Sequence, residues 1–512
     1  MFLGARGGAC REQAKKAEAC RGLAGPVRSS FRGRKEPLEC QDMVVQNALY
    51  TGDLEQVQRH FSERAEVNLT ILAKSHDDLR WTSHKWARPA PSMEPIVTAK
   101  AEGPAQAFWQ ALLAGDGCAI LCLLRDPESG VGPNAIFDTS NLDEWKDYRF
   151  NFRWLRLWSL TYKEELTTPL HITASRGFVD CLRHLLLRGA DVDLAPGGQT
   201  ALHVACTAAQ ADCARLLLSF GADPEAVSED GWKPLHLCQS PESLQCARLL
   251  LCHGATVNSP TEEEEDTPLH RAARLGLVEH VRLLLSYGAS LEARNGEGQS
   301  PLNAACAQSH PAQAMEDYFK VCQQLVAAGA QVNSTDHDRQ RPLHQACKNA
   351  NPRVVELLLA HGANVNIMSY SGNMAMHNIL QAAAYKTDHQ PEQAVRDLLN
   401  HGAVRIWPGA LLKVLRHCCA SPRTIEALLN SYEHVRVTEE WADAVPAELV
   451  QMHPRFFQSL FALGQRPRSL KHLARCALRS CLEGNILRAL PELGLPPPLQ
   501  QFLLLRFEDV LY

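Results

Sequence analysis

Apolar residues recur through residues 161–405 in paired runs that have the spacing of short amphipathic helices. The first run of each pair begins with a Pro-Leu-His string, as at residues 169–171 and 268–270. The second run ends in consecutive leucines and is followed by Gly-Ala, as at residues 185–190 and 357–363. Seven copies keep one register, with steps of 32, 33, 34, 33, 41 and 33 residues between successive histidine positions. A period of this length predicts a stack of helix pairs.

The residue types at these positions explain how one unit folds. Proline suits the first turn of a helix, because its missing N–H would have no helical partner there. Glycine after the leucine run ends the second helix, since it adopts the left-handed conformation without strain. One helix pair cannot bury its own leucines, so neighbouring pairs must stack. The two markers together resemble the ankyrin repeat, which implies an all-α ankyrin-repeat solenoid with six clear copies and a degenerate seventh.

Six histidines occupy the Pro-Leu-His position, and their number alone suggests a metal-binding or catalytic array. They lie one whole repeat apart, roughly 10 Å along the stack, which is too far for shared ligation. The resemblance implies that each imidazole bonds the backbone of the adjacent turn. We therefore predict a structural role for His171, His203, His236, His270, His344 and His377.

The chain has 18 cysteines, and none of them form the Cys-x-x-Cys spacing of a structural zinc site. Without a secretion signal they are expected to be reduced thiols. Four fall at or beside the small-residue position of a first helix, where a small buried residue belongs: Cys206, Cys238, Cys306 and Cys347. No metal and no cofactor is expected.

The first 160 residues differ from the repeats. Residues 1–40 are basic and poor in apolar residues, which predicts a disordered tail; a mitochondrial transit peptide is the alternative. Residues 41–160 hold six of the nine tryptophans and are predicted to be folded and helical. Two stretches within them, 48–61 and 111–124, are similar to degenerate helix pairs and would cap the solenoid.

Two insertions lengthen the repeats, one between Cys306 and Val321 and the other at residues 382–391. Insertions in solenoids fall on loops of one face, often the binding face, although tolerated loop growth is the alternative. An acidic run also precedes the fourth copy, and a solvated loop tip is the alternative to a contact with a basic target. The predicted target-binding residues are Glu262, Glu263, Glu264, Glu265 and Tyr318.

The period fails after residue 405, and residues 406–463 are predicted to form a helical linker. Within residues 464–512, Leu470 is followed at four-residue intervals by Ala474 and Leu478, so the three share one helix face. A Leu-Gly-Leu-Pro-Pro-Pro-Leu stretch follows at residues 493–499. These two motifs resemble the three-helix SOCS box. Residues 160–512 as a whole resemble the ankyrin repeat and SOCS box family.

The resemblance implies which residues of the box bind partners. In a SOCS box the first helix inserts into Elongin C, and the proline-rich stretch contacts Cullin-5. By position, the Elongin-binding residues are Ser469, Leu470, Leu473, Ala474 and Leu478, and the cullin-binding residues are Leu495, Pro496, Pro498, Leu499 and Phe502. Ala474 stands where the family most often has cysteine, and Gly494 stands where a first proline is common. A helical cap whose leucines only close the solenoid is the alternative.

The resemblance implies a substrate-recognition subunit of a Cullin-5–Elongin B/C RING ubiquitin ligase. Its partners would be Elongin B, Elongin C, Cullin-5, a RING-box protein and an unknown protein target. A scaffold that binds Elongin without productive cullin recruitment is the alternative. An enzyme is not expected, because P-loop, nucleophile-elbow and zinc-protease motifs are missing from the sequence. The net charge of -5 and the lack of a long apolar run predict a soluble cytoplasmic chain, with access to the nucleus, that binds neither nucleic acid nor membrane.

Overall fold

The structure is a computed structural model, and it describes residues 103–138, 166–482 and 484–511 together with six short strands before residue 161. The chain divides into two compact units. One comprises Met1–Met93 and Ser140–Glu164, and the other comprises Glu94–Thr139 and Glu165–Tyr512. Among the helices of the described ranges, none is both long and apolar enough to cross a membrane.

Eight short strands are described: β1 (Leu38–Cys40), β2 (Leu69–Ala73), β3 (Trp81–Lys85), β4 (Ile96–Thr98), β5 (Ile136–Asp138), β6 (Tyr148–Asn151), β7 (Leu157–Leu160) and β8 (Leu166–Thr167). In the first unit, β3 pairs antiparallel with both β1 and β2, placing Leu38 opposite Ser83 and Leu69 opposite Lys85. Strands β6 and β7 form an antiparallel pair. In the second unit, β5 pairs parallel with β4 and antiparallel with β8.

The strands differ from the sequence prediction of a helical region at 41–160. Segments such as Trp81–Lys85 contain aromatic and β-branched residues, which fit a pleated sheet better than a helix. Leu38–Cys40 is likewise a strand at the end of the stretch predicted to be a disordered tail. The rest of that tail and the predicted helix pair at 48–61 lie outside the described residues.

The second unit is a stack of helix pairs that begins with α1 (Pro104–Ala114) and α2 (Gly117–Arg125), where the sequence predicts a capping pair. The Asp116 carboxylate caps α2 by accepting hydrogen bonds from the backbone N–H groups of Cys118 and Ala119. The repeats follow as α3 (Pro169–Arg176), α4 (Val179–Leu187), α5 (Ala201–Thr207), α6 (Ala211–Ser219), α7 (Leu244–Cys252), α8 (Pro268–Arg274), α9 (Val278–Ser286), α10 (Pro301–Ala307), α11 (Met315–Ala327), α12 (Pro342–Lys348), α13 (Pro352–Ala360), α14 (Ala375–Ala382) and α15 (Pro391–Asn400).

Short 3-10 turns complete the stack. In the third repeat the turn Pro234–Leu237 replaces the first helix. The other described turns of this type are Pro127–Ser129, Pro241–Ser243, Ala312–Ala314, Thr387–His389 and Pro408–Ala410. The turns Ala312–Ala314 and Thr387–His389 lie in the two insertions, so each insertion has a folded structure.

The solenoid continues past residue 405. Helices α16 (Leu411–Cys418) and α17 (Pro422–Leu429) pack on α14 and α15 in the same way that earlier pairs pack on each other. The stretch predicted as a helical linker is helical in these described residues, but its first helix pair belongs to the stack. Three short helices follow, α18 (Glu440–Asp443), α19 (Ala447–Met452) and α20 (Pro454–Ala462).

The last three helices form the C-terminal box, α21 (Leu470–Leu482), α22 (Ile486–Glu492) and α23 (Pro497–Leu503). Beyond α23 the chain returns to α17, where the buried Glu426 carboxylate accepts hydrogen bonds from the N–H groups of Glu508 (2.6 Å) and Asp509 (3.2 Å). Burial raises the pKa of Glu426 to about 7. The N–H of Leu511 donates to Ser459 Oγ at 2.9 Å. These contacts fasten residues 505–511 to the end of the solenoid.

The leucine runs and the repeat cysteines form one continuous core, as predicted. Leu185, Leu217, Leu250, Leu325, Leu358 and Leu398 are each completely buried. The four cysteines at the small-residue position, Cys206, Cys238, Cys306 and Cys347, are buried free thiols. Burial raises the pKa of the Cys347 thiol, so this sulfur is protonated and packs as an apolar group.

Buried histidines connect successive repeats. Each Nε2 lies within hydrogen-bond distance of a backbone carbonyl in the next finger, the hairpin-like turn between repeats. The pairs are His171 with Gln199 (2.7 Å), His203 with Trp232 (3.0 Å), His236 with Ser259 (2.9 Å), His270 with Gln299 (2.9 Å) and His344 with Ile367 (3.0 Å). In the fifth repeat, Asn303 replaces histidine and its amide donates to the carbonyl of Ser334 at 3.4 Å. The predicted structural role is confirmed for these positions.

The two ring nitrogens have different partners, which fixes the tautomer of the neutral imidazole. In His270, Nδ1 accepts from the N–H of Thr267 at 3.3 Å, so Nε2 must carry the proton that the carbonyl of Gln299 accepts. Adding a proton to Nδ1 would set two N–H groups against each other. Burial lowers the pKa of His171, His203, His270 and His344 below the ordinary value. It lowers the pKa of His236 to about 4.

The free energy of unfolding should fall as the pH is lowered from 7 toward 4. Below its ordinary pKa of about 6.5, each of these histidines binds a proton in the unfolded chain but not in the folded one, so acid favours unfolding. Each such histidine contributes up to about 1.4 kcal/mol per pH unit. Urea denaturation followed by circular dichroism at several pH values measures this slope.

A single substitution tests the assignment. His270→Asn keeps an amide donor, as Asn303 does naturally, and should reduce the pH slope by one histidine's share. The exposed finger residue His337, replaced by asparagine in the same way, provides the matched control. Equal slopes in all three proteins would contradict the role of the buried imidazoles.

Candidate docking surfaces on the box and on the fingers

Helix α21 has one apolar face that the rest of the described chain leaves uncovered. Leu470 is 85% exposed and Leu478 is 45% exposed, and Ala474 between them is also exposed. Their four-residue spacing places them in a row along the helix. Leu473 is half-buried beside this row. Ser469 plays a different part, because its Oγ accepts a hydrogen bond from the N–H of His472 and so caps the helix.

The opposite face of α21 is fixed to the end of the solenoid by polar contacts. His472, Arg475 and Cys476 are buried there. The Nε2 of His472 lies 2.9 Å from the carbonyl of Tyr432, and the Nδ1 lies 2.9 Å from Arg475 Nη2. Burial lowers the pKa of His472 to about 4, with a smaller effect from the Arg468 guanidinium. This imidazole is therefore neutral and structural.

The proline-rich stretch divides into exposed and buried residues. Pro496, Pro498 and Leu499 are exposed, whereas Leu495 is half-buried against Leu490 and its neighbours. Gly494 has φ +56°, a conformation that proline cannot adopt, so the glycine suits the turn before α23.

Phe502 does not lie on the predicted cullin-binding surface. Its ring is only 6% exposed, and it lies 4.2 Å from Lys471 Nζ and 4.3 Å from the Arg475 guanidinium carbon, measured to the ring centroid. Two cationic side chains of α21 therefore cover it. Since a buried ring cannot contact a cullin without rearrangement, its prediction as a contact is wrong for this conformation, and it serves as core between α21 and α23.

The acidic run forms the tip of one finger. Glu262, Glu263, Glu264 and Glu265 are exposed at this tip. Glu264 also makes ion pairs with Arg271 (3.2 Å) and Arg274 (3.5 Å). Its role is thus partly internal, since these two arginines also bind the buried Asp266. The tip lies where the prediction places it, and target binding stays a prediction.

Neighbouring fingertips are joined by backbone hydrogen bonds and are acidic too, which the sequence analysis missed. The N–H of Glu262 donates to the carbonyl of Gly231, the N–H of Gly296 to that of Glu264, and the N–H of His337 to that of Glu297. The tips therefore form one continuous ridge that carries Glu229, Glu262, Glu263, Glu265, Glu297 and Asp338 as exposed side chains. These residues occupy equivalent positions in successive repeats, and this periodicity is the sequence signal that identifies them.

Tyr318 is half-exposed and is part of an internal brace, and its predicted contact with a target stays a prediction. Its hydroxyl donates to the carbonyl of Arg274 at 3.0 Å, and its ring stacks on His310 with centroids 4.1 Å apart. His310 in turn lies 3.4 Å from the Asn351 amide. Lys386, in the second insertion, donates to Ser309 and Asn349. The two insertions thus brace the loops of consecutive repeats, a structural role for Tyr318 that the sequence does not reveal.

Comparison with known proteins agrees with this arrangement. A family model for ankyrin repeats (3 copies) matches residues 156–228, 210–295 and 310–407, and a SOCS box model matches residues 466–504. Ankyrin repeat and SOCS box protein 10 of Mus musculus is 53% identical over 427 residues, which are 82% of this chain and 91% of the mouse protein. The chain belongs to the ankyrin repeat and SOCS box family. The resemblance found in the sequence is confirmed.

Other members of the ankyrin repeat and SOCS box family are also similar. Protein 18 of Homo sapiens is 46% identical over 356 residues, covering 70% of this chain and 76% of that protein. The crystal structure of the human ASB11 ankyrin repeat domain aligns with a TM-score of 0.39 and 27% identity, covering 44% of this chain and 96% of that domain.

Substituting Tyr318 should destabilise the isolated protein if the tyrosine is a brace. Tyr318→Ala should lower the free energy of unfolding by about 2–4 kcal/mol, because a large packed ring is lost. Tyr318→Phe should cost about 1 kcal/mol, because only the hydroxyl that bonds Arg274 is removed. Urea denaturation measures both, and the exposed Glu263→Ala provides the control. Three equally neutral substitutions would contradict the brace.

Proposed function

We propose that this chain is the substrate-recognition subunit of a Cullin-5–Elongin B/C RING ubiquitin ligase. The fingers of the solenoid bind a protein target, and the box recruits Elongin B, Elongin C, Cullin-5 and a RING-box protein. Catalysis belongs to those partners, and this chain raises the effective concentration of the target near them. The observation that carries the proposal is the uncovered row of Leu470, Ala474 and Leu478.

The two faces of α21 support Elongin docking over a simple end cap. A helix that only closed the solenoid would turn its leucines inward, but here the buried face consists of His472, Arg475 and Cys476. Leu470 and Leu478 point away, with the small Ala474 one turn from each. This pattern of two large anchors around a small residue is typical of a helix that lies in the apolar groove of a partner.

The cullin contact is supported by a smaller set of residues. Pro496, Pro498 and Leu499 present an exposed apolar edge at the start of α23. The burial of Phe502 and the turn at Gly494 reduce that edge relative to the family pattern. For this reason a scaffold that binds Elongin without recruiting a cullin remains the second candidate function.

The target side is supported by the charge of the fingertip ridge. Its exposed carboxylates come from successive repeats and are held in line by the backbone bonds between tips. Six exposed carboxylates outnumber the two exposed arginines of these fingers, Arg294, which bonds the carbonyls of Gly298 and Thr335, and Arg339. We therefore propose a target segment that is basic and extended, since charge complementarity speeds association and selects the partner.

The double substitution Leu470→Asp and Leu478→Asp should prevent co-purification with Elongin B and C. Each change would bury an unpaired carboxylate in an apolar groove, and the affinity should fall by about 100-fold or more. Both positions are exposed in the free chain, so circular dichroism should show an unchanged fold. The matched control is Leu187→Asp, a leucine that is 67% exposed at the end of α4. Undiminished Elongin binding by the double variant would exclude the proposed docking face.

Leu499→Asp should separate cullin recruitment from Elongin binding. Leu499 is 45% exposed on α23, away from the row on α21, so Elongin should still co-purify while Cullin-5 association weakens about tenfold. Leu487→Asp is the control, because this leucine is 40% exposed on α22. If the native chain with Elongin bound showed no Cullin-5 association at all, the scaffold function would replace the ligase function.

A further inference from the structure

Arg479 connects three parts of the chain that the proposed function assigns to different partners. It lies on α21, one residue after Leu478 of the Elongin-facing row. Its Nη1 donates to Asn400 Oδ1 and to the carbonyl of Leu503, both at 2.7 Å. Its Nη2 donates to the carbonyl of Leu399 at 3.0 Å. The side chain of Arg479 therefore joins the C-terminal end of α15, the last helix before Trp407, to the C-terminal end of α23.

The acceptors explain why an arginine is suited to this position. Leu399 and Leu503 lie in the last turns of α15 and α23, where backbone carbonyls have no partner within the helix. A guanidinium satisfies such carbonyls, and its positive charge is favoured at the negative end of a helix dipole. Its planar fork holds several N–H groups in fixed directions, whereas the N–H groups of a lysine rotate freely about the end of a flexible stem.

Asn400 completes the connection from the solenoid side. Its side chain is only 3% exposed, so its polar atoms need partners inside the protein. Its Oδ1 accepts from Arg479, and its Nδ2 donates to the carbonyl of Leu504 at 3.3 Å. Both ends of this amide are thus used by the box. The half-buried Arg479 and the buried Asn400 thus join the repeat that ends at α15 to the box, beside the contacts that His472 and residues 508–509 make with the solenoid.

The backbones of the two parts are in direct contact beside this pair. A Cβ added to Gly402, just after α15, would meet Gly484 Cα at 3.0 Å, and one added to Gly484, after α21, would meet Gly402 Cα at 3.3 Å. Both residues have positive φ, +83° and +77°, so glycine is required by conformation as well as by space. Such a close approach leaves little room for the box to rotate against the repeats.

Burial lowers the pKa of Arg479 to about 10, with nearby Arg475 adding to the effect. The guanidinium therefore remains charged at neutral pH. Its charge is met by the carbonyl ends of two helices and by the Asn400 amide.

We infer that Arg479 and Asn400 are positioning residues that fix the orientation of the Elongin-binding and cullin-binding helices relative to the target-binding fingers. This inference rests on the proposed function, because only a ligase needs that orientation. A rigid connection gives a bound target a defined distance from the ubiquitin-loaded enzyme, whereas a loose one spreads the same target over many distances. The pair thereby limits which target lysines are within reach.

The test measures the distance distribution between a finger and the box in the full chain. Spin-labelled amino acids introduced at the exposed positions Tyr370 and Glu492 report it by double electron–electron resonance. The unsubstituted chain should give one narrow distribution. Arg479→Met should widen it by about twofold or more, since side-chain length is kept but all three bonds are lost. Arg479→Lys should fall between the two.

Two further variants separate positioning from folding. Asn400→Ala removes the solenoid-side partner without changing the box, and it should widen the distribution while Elongin affinity stays within about threefold. Arg488→Met, an exposed arginine on α22, should change neither quantity. A distribution as narrow in both Arg479→Met and Asn400→Ala as in the unsubstituted chain would overturn the inference. Loss of Elongin binding together with box helicity in both variants would also overturn it, by showing a role in folding alone.

The outcome is distinguishable from a failure of the proposed function. The distance measurement needs no Elongin, so it reports on Arg479 even if the ligase role is wrong. A chain that gave the narrow distribution and the expected broadening, but bound no Elongin, would support the structural connection and reject the ligase.

Discussion

The hydrogen bond from a buried imidazole to a carbonyl of the next finger sets the geometry of the whole solenoid. It fixes the first helix of one repeat against the turn that leads into the following one, and it recurs from His171 to His344. Because the same bond is made at nearly every step, the fingers are held in parallel and their tips meet through backbone bonds such as that between Glu262 and Gly231. The positions of the carboxylates on the candidate target surface therefore depend on the core, because the buried imidazoles hold the fingers that carry them.

The end of the stack is held by a different interaction, the capping of helix C-termini by arginine. Arg468 donates to the carbonyl of Leu429 at the end of α17, and Arg479 does the same at the ends of α15 and α23. These bonds fix the inner face of α21 by polar contacts, so its leucines are not needed for internal packing. Because the inner face of α21 is held by polar contacts, the exposed row on its outer face is free of any role in holding the box. The proposed docking therefore rests on the row of Leu470, Ala474 and Leu478 as a set, since a single exposed leucine such as Leu187 needs no explanation.

Most of the repeat architecture could be predicted from the sequence, because it follows from local rules. The Pro-Leu-His and Gly-Ala markers state where each helix begins and ends, and the spacing of Leu470, Ala474 and Leu478 states which side they share. What the sequence could not show depended on contacts between distant segments. Phe502 fits a family motif, but its burial is decided by Lys471 and Arg475, about thirty residues away. Tyr318 lies in an insertion, and only the fold shows that its hydroxyl bonds the carbonyl of Arg274 and its ring stacks on His310. The helix pair α16 and α17 lacks the Pro-Leu-His marker, so the sequence alone predicts a linker there.

The box cannot be treated as a separate module here, although its sequence motif has clear limits. The family match ends at residue 504, yet the chain continues to the buried Leu511. That extension is held by Glu426 of α17, whose carboxylate accepts two backbone N–H groups inside the core, and by Ser459 of α20. Phe507 lies under the guanidinium groups of Arg396 and Arg423, which belong to the solenoid. A segment that packs its last residues into the core of its neighbour and donates capping bonds to the helices of that neighbour is continuous with it. For this chain, the physical domain is the solenoid together with its box.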